Sequence, residues 1–128
     1  MAERISFVTH LGKAIMVVDL SHCEPKEILL LLDEAQAAVA RHQRNSLLTL
    51  ADLHGAHIDR AVATRMKEVL VLDRPYVKRS AWVGVDSVPK VYYDNITRFS
   101  QRQFPSFKTR EEAMDWLVKD EAAGTSKT

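Results

Sequence analysis

Ser46-Leu47-Leu48-Thr49-Leu50-Ala51-Asp52-Leu53-His54-Gly55-Ala56-His57 is the stretch on which the fold turns. The run over 47–51 is too short and too evenly apolar for a surface helix. It reads as a strand buried on both faces, the kind found inside parallel sheets. Residues 52–57 form a polar turn. A helix follows from near Asp59, with Val62, Met66, Val69 and Leu70 on one face of a 3.6-residue period. Strand, polar loop and helix in this order place loop side chains and helix N–H groups at the rim of an α/β sheet, where the ligands of such sheets bind.

Upstream, residues 5–8 alternate as a short strand, Gly12 serves a turn, and residues 14–20 form a second strand of an antiparallel hairpin. Pro25 suits the first turn of a helix over 25–42, with Ile28, Leu31, Leu32, Ala35 and Val39 on its inner face. Leu29 and Leu30 widen that stripe and leave room for self-association as a homo-oligomer. Asn45 is a cap candidate beyond its end. Downstream, Pro75 ends the helix near Asp73. The next apolar run is 81–85, where Gly84 signals a bulge or a close backbone approach. Ser87 or Val88 caps a helix over 88–101, and residues 103–107 form a last strand that Pro105 confines to a sheet edge. Thr109 and Glu112 form a capping box for a closing helix with Ala113, Trp116 and Leu117 inward. Residues 120–128 read as a frayed tail. The order β-β-α-β-α-β-α-β-α predicts one α/β domain over 1–119, with a four- to five-stranded mixed sheet and about four flanking helices.

Composition narrows the function classes. The chain has 128 residues, enough for one domain with a real core. Its net charge of +1, from 18 basic and 17 acidic residues, gives no electrostatic reason to expect nucleic acid or an anionic membrane surface as partner. Cys23 is the single cysteine, so no internal disulfide forms. No apolar run reaches the roughly 18 residues of a spanning helix, and the opening residues lack the apolar core of a leader, so a cytoplasmic location is expected. The four glycines stand at 12, 55, 84 and 124, which excludes a Gly-rich nucleotide cradle.

Several segments together resemble the STAS domain, the fold of sulfate-transporter tails and anti-sigma-factor antagonists, and in particular its stand-alone bacterial SpoIIAA-like branch. They are His10-Leu11-Gly12-Lys13 with Ile15, Val18-Asp19-Leu20-Ser21, and Ser46 through Asp52. Tyr76-Val77-Lys78-Arg79-Ser80-Ala81-Trp82-Val83-Gly84 and Phe107 through Leu117 complete the set. The resemblance implies a non-enzymatic regulatory role exercised by binding another protein. In antagonist members a Ser or Thr at the start of the helix after the central strand is phosphorylated. Here Asp52 and Gly55 fit that loop, but no hydroxyl stands in it, and the next is Thr64 inside the helix. The usual phosphoacceptor is therefore missing. The likeness of this branch to lipid-carrier folds also implies an alternative role, as carrier or sensor of a small apolar ligand or lipid.

The residues themselves support a modest chemistry. Asp52, Leu53, His54, Gly55 and His57 are expected to form a solvent-facing recognition loop. As a metal site, Asp52, His54 and His57 offer only three ligands at a weak spacing, so no metal or other cofactor is expected. Cys23 beside His22, or near His54, lacks an orienting third group, and no enzymatic activity is expected. Trp82, Tyr92, Tyr93 and Phe99 are the candidate lining of an apolar ligand site between the sheet and the helix over 88–101. Lys78-Arg79 alone is too small for a nucleic-acid patch. Substituting Asp52 and His54 by Ala is expected to spare the fold.

Overall fold

The computed structural model of the chain describes residues 3–102 and 104–119. The expected tail over 120–128 and Gln103, the first residue of the expected last strand, lie outside them. The chain is α/β. Its five-stranded mixed sheet has the order β1 (Ile5–His10), β2 (Lys13–Asp19), β3 (Leu47–Asp52), β4 (Val77–Val83) and β5 (Ser106–Phe107). β1 pairs antiparallel with β2, and the remaining neighbours pair in parallel. Each crossover carries a helix: α1 (Pro25–Val39), α2 (Arg60–Asp73) and α3 (Lys90–Ser100). The last helix of the described residues is α4 (Arg110–Leu117).

Strands are added in one direction across the sheet. Right-handed crossovers then place α1, α2 and α3 on a single face. Ile28 and Leu32, Val62 and Met66, and Ile96 meet there around Trp82 and Phe104. The other face is covered by α4, whose Ala113 and Leu117 pack on Ile15, Val17, Leu48, Leu50, Ala81 and Val83. β3 lies between β2 and β4 with both faces covered, which is why its sequence is an unbroken apolar run rather than an alternation.

The helix starts follow side-chain chemistry. Asp59 accepts the Val62 N–H at 2.8 Å, and Thr109 Oγ1 accepts the Glu112 N–H at 3.1 Å. Several boundaries differ from the sequence reading. α1 stops at Val39 rather than at residue 42. Asn45 lies past that end in a left-handed conformation, its N–H bonded to the Pro75 carbonyl. β4 begins at Val77, and Gly84 falls outside it at φ +75°, opening a short 3-10 turn, Val85–Ser87. Of the two readings of Gly84, the close backbone approach is the one found, against His54, and the register shift between β3 and β4 falls between Leu47 and Leu48. Ser87 does not cap α3. Pro89 stands at that position, and the Ser87 hydroxyl serves the loop after β3.

Candidate functional site

The carboxyl ends of β2 and β3 bring two aspartates into register, Asp19 beside Asp52. Arg110, the first residue of α4, reaches over both. Its Nε–H donates to Asp52 Oδ2 at 2.8 Å, and its terminal nitrogen lies 3.4 Å from Asp19 Oδ2. On the far side Arg4 lies 3.5 Å from Asp19 Oδ1 and donates to the Ser21 carbonyl at 2.8 Å. The Ser21 hydroxyl donates to the same Asp19 oxygen at 2.6 Å. The remaining Asp52 oxygen accepts the His54 N–H at 3.1 Å and lies 2.8 Å from His54 Nδ1. The result is a row of alternating charge, Arg4–Asp19–Arg110–Asp52, ending in an imidazole.

Asp52 is only 6% exposed. Burial by itself pushes its carboxyl upward, but the His54 N–H, Arg110 and the His54 ring outweigh that and hold it below the ordinary carboxylate range. An ionised Asp52 selects the His54 tautomer with the proton on Nδ1, and Nε2 has no protein partner among the described residues. The His54 side chain is 49% exposed. It borders an open cleft of about 440 Å³ with Asp86, Ser87, Ser106, Phe107 and Lys108.

The loop beyond Asp52 is fastened along its length. Leu53 N–H donates to Val83 O, Ala56 N–H to Leu53 O, His57 N–H to Cys23 O, and Gly55 N–H to Ser87 Oγ at 2.7 Å. The His54 carbonyl in turn accepts the His22 N–H. Leu53 is fully buried as the loop's anchor in the core. Gly55 at φ +65° lies under the His22 ring, so a Cβ there would collide with it. Gly84 packs against the His54 backbone; a Cβ would sit 2.5 Å from His54 N.

Of the expected loop residues, Asp52, Leu53, His54 and Gly55 thus form one fixed unit. His57 stands apart, 62% exposed, with its Nδ1 3.1 Å from Glu24. Among the described residues no three His, Cys, Asp or Glu side chains are grouped to hold a metal. Cys23 is fully buried, and burial pushes its thiol up to about 11, so it is protonated at neutral pH, the reverse of an activated nucleophile.

The aromatic set does not converge. Trp82 stacks on Phe104 at 4.5 Å and meets Tyr93 edge-on at 5.7 Å, while the Tyr93 hydroxyl donates to Phe104 O. Tyr92 borders a separate surface cleft with Arg60 and Lys67. Phe99 is 59% exposed, under the Lys67 ammonium. An apolar cavity of about 60 Å³ lies between the sheet and helices α1 and α2, with Trp82 and Phe104 in its wall but none of Tyr92, Tyr93 or Phe99.

Asp19, Arg110, Arg4 and Ser21 escaped the sequence reading as site residues, and Ser87 enters it only as a helix cap. The one available signal was the recurrence of Asp directly after an apolar run, at Asp19 and Asp52, which puts both at strand ends. No described helix is long and apolar enough to cross a membrane. No family profile matches the chain, and no curated protein matches it.

Proposed function

We propose that the chain is a non-enzymatic, STAS-like interaction module, cytoplasmic and lacking the usual phosphoacceptor, that recognises another protein through the loop after β3. The observation that carries this reading is the fastening of that loop. Buried Asp52, the Ser87 hydroxyl and four backbone bonds fix its shape, while the His54 and His57 rings stay in water. A recognition surface held in its bound shape loses little conformational entropy on docking, which is how a small exposed patch reaches useful affinity. The test is affinity capture with the wild type and with His54→Ala/His57→Ala, which leaves Asp52 and Arg110 in place. Loss of a specific partner at unchanged melting temperature supports the reading. An identical set of bound partners removes the loop from it.

The second reading, a carrier or sensor of a small apolar ligand, is supported by the cavity between the sheet and helices α1 and α2. At about 60 Å³ it has room for a few waters and none for an acyl chain, so a carrier role requires α1 and α2 to part from the sheet. Native mass spectrometry after gentle purification separates the two readings. A co-purifying lipid favours the carrier, and a bare chain mass after lipid incubation counts against it.

A further inference from the structure

Among the described residues the sheet has two edges, and they are unlike. β5 is two residues long and follows Pro105, so it offers little backbone to a further strand. β1 is six residues long, Ile5-Ser6-Phe7-Val8-Thr9-His10, and pairs with β2 without a register shift. It holds no proline, lysine, arginine or carboxylate, the devices that keep an edge from pairing with another chain. The basic side chains at its ends are tied back onto the same chain, Arg4 toward Asp19 and His10 to Asp115 at 2.7 Å.

The pairing with β2 decides which backbone groups of β1 face the edge. The Asp19 N–H donates to the Arg4 carbonyl at 2.7 Å. Arg4 therefore bonds toward β2, and so does every second residue after it, Ser6, Val8 and His10. The N–H and C=O groups of Ile5, Phe7 and Thr9 point the other way, to the open edge. Apolar side chains flank them on both faces. Phe7 is 49% exposed beside the His42 ring, on the face that α1 covers. Val8 is 37% exposed on the opposite face, where α4 packs on β2, β3 and β4 and stops short of β1.

We propose that β1 pairs antiparallel with β1 of a second copy of this chain, about a two-fold axis at Phe7. In that register Phe7 faces its own copy, and Ile5 of each strand faces Thr9 of the other. The three outward N–H groups and three outward C=O groups of each strand then all find partners. A slip of one residue sets outward groups against inward ones, so the hydrogen-bonding pattern itself selects the axis. The arrangement is self-complementary, which a foreign peptide matches only by its own sequence. Because β5 is blunt, the assembly closes at two copies instead of growing into a fibre. The axis stands perpendicular to the sheet. Helices α1, α2 and α3 of both copies thus share one face, and the two loops after β3 lie at opposite ends of the dimer. The surface is distinct from that loop, and either proposal stands without the other.

The experiment is sedimentation of the full chain over a wide concentration range, with amide hydrogen exchange as the second readout. One strand pair with its flanking side chains belongs at the low end of specific interfaces, about 1,200 Å² or less, so dimerisation in the micromolar range is expected. Exchange at Ile5, Phe7 and Thr9 should slow as concentration rises, while Ser6, Val8 and His10 stay protected throughout. Phe7→Lys places like charges across the axis and should weaken the dimer by about tenfold or more. Thr9→Pro removes an edge-facing donor without touching the bonds to β2 and should weaken it by about tenfold. Mixing Phe7→Lys with Phe7→Glu should restore dimers, which only an axis at this residue does. Leu30→Lys, at a site 69% exposed on α1, should leave the dimer intact. Melting temperatures of the dilute variants report on folding. A monomer at every concentration overturns the proposal. So does a dimer that Leu30→Lys dissolves and Phe7→Lys does not, or one whose alternate-residue exchange pattern is absent.

Discussion

Two buried aspartates show how neighbours decide what a carboxyl contributes. Asp52 has two N–H donors from His54 and one from Arg110, and stays ionised. Asp73 is equally buried, but burial pushes its carboxyl up to about 6, with Arg102 only partly opposing the rise. The folded state therefore binds a proton at Asp73 more readily than the unfolded chain does. The stability this contributes is present below the ordinary carboxyl range and is lost as pH rises through about 6. Asp73→Asn removes the titration, so its stability relative to wild type should increase between pH 4 and pH 8 by about 1–3 kcal/mol, read by urea denaturation at both ends. A pH-independent difference would show that Asp73 titrates normally. At Asp52 the dependence runs the other way. Its depressed carboxyl stabilises the fold above the ordinary range, and this contribution fades as acid protonates it. Arg110→Ala should cost about 1–3 kcal/mol at pH 7, half-exposed Arg110 placing it below a fully buried pair, and the cost should shrink toward pH 3. Asp52 looked replaceable in the sequence because a polar residue after a strand usually faces water. Arg110 is 58 residues away, and no local spacing reports such a partner.

At the scale of elements, periodicity located what it describes. β3, α1, α2 and α4 carry their inward residues at the spacings their geometry demands, and two helix starts were readable from Asp59 and Thr109. The ends were less legible, because Val77–Ser80 and residues 40–42 are set by backbone pairing and turn geometry rather than by apolar pattern. β5 has two residues, too few for a period to show. Gly84 illustrates the limit. Its identity announced a special backbone, but only the tertiary structure shows that it ends β4 in the left-handed region, against the backbone of the loop after β3. Gly84→Ala introduces both an unfavourable φ and a Cβ 2.5 Å from His54 N, with backbone rather than a flexible side chain to move. A loss of about 2–4 kcal/mol is expected, together with amide shift changes over residues 52–57. A variant that melts with the wild type would mean that β4 and the loop are not packed as closely as the structure has them.

Among the described residues the two faces of the sheet are unequally covered: three helices guard one, and α4 alone guards the other. Alternating strands and helices in the sequence implied a largely parallel sheet, but not the strand order, nor which helix would cross to the far side. That choice matters because α4 has eight residues, too few to hold together as a helix without docking. Its hold on the sheet is Ala113, Leu117 and Val118 over β2, β3 and β4, and its first residue is Arg110, the bridge between Asp19 and Asp52. Core packing on one face and charge geometry at the carboxyl rim are thus mechanically joined through one short helix. Leu117 is 1% exposed, and Leu117→Ala should cost about 2–4 kcal/mol. The loss should be uneven. Hydrogen exchange should rise in α4 and, with it, in residues 52–54, whose carboxylate anchor loses Arg110, while α1 and α2 on the covered face keep their protection. Leu32→Ala, a similar truncation within α1, should raise exchange across the three-helix face and spare the loop. If both truncations loosen every element alike, the two faces form a single cooperative unit and α4 is no separate hinge between core and rim.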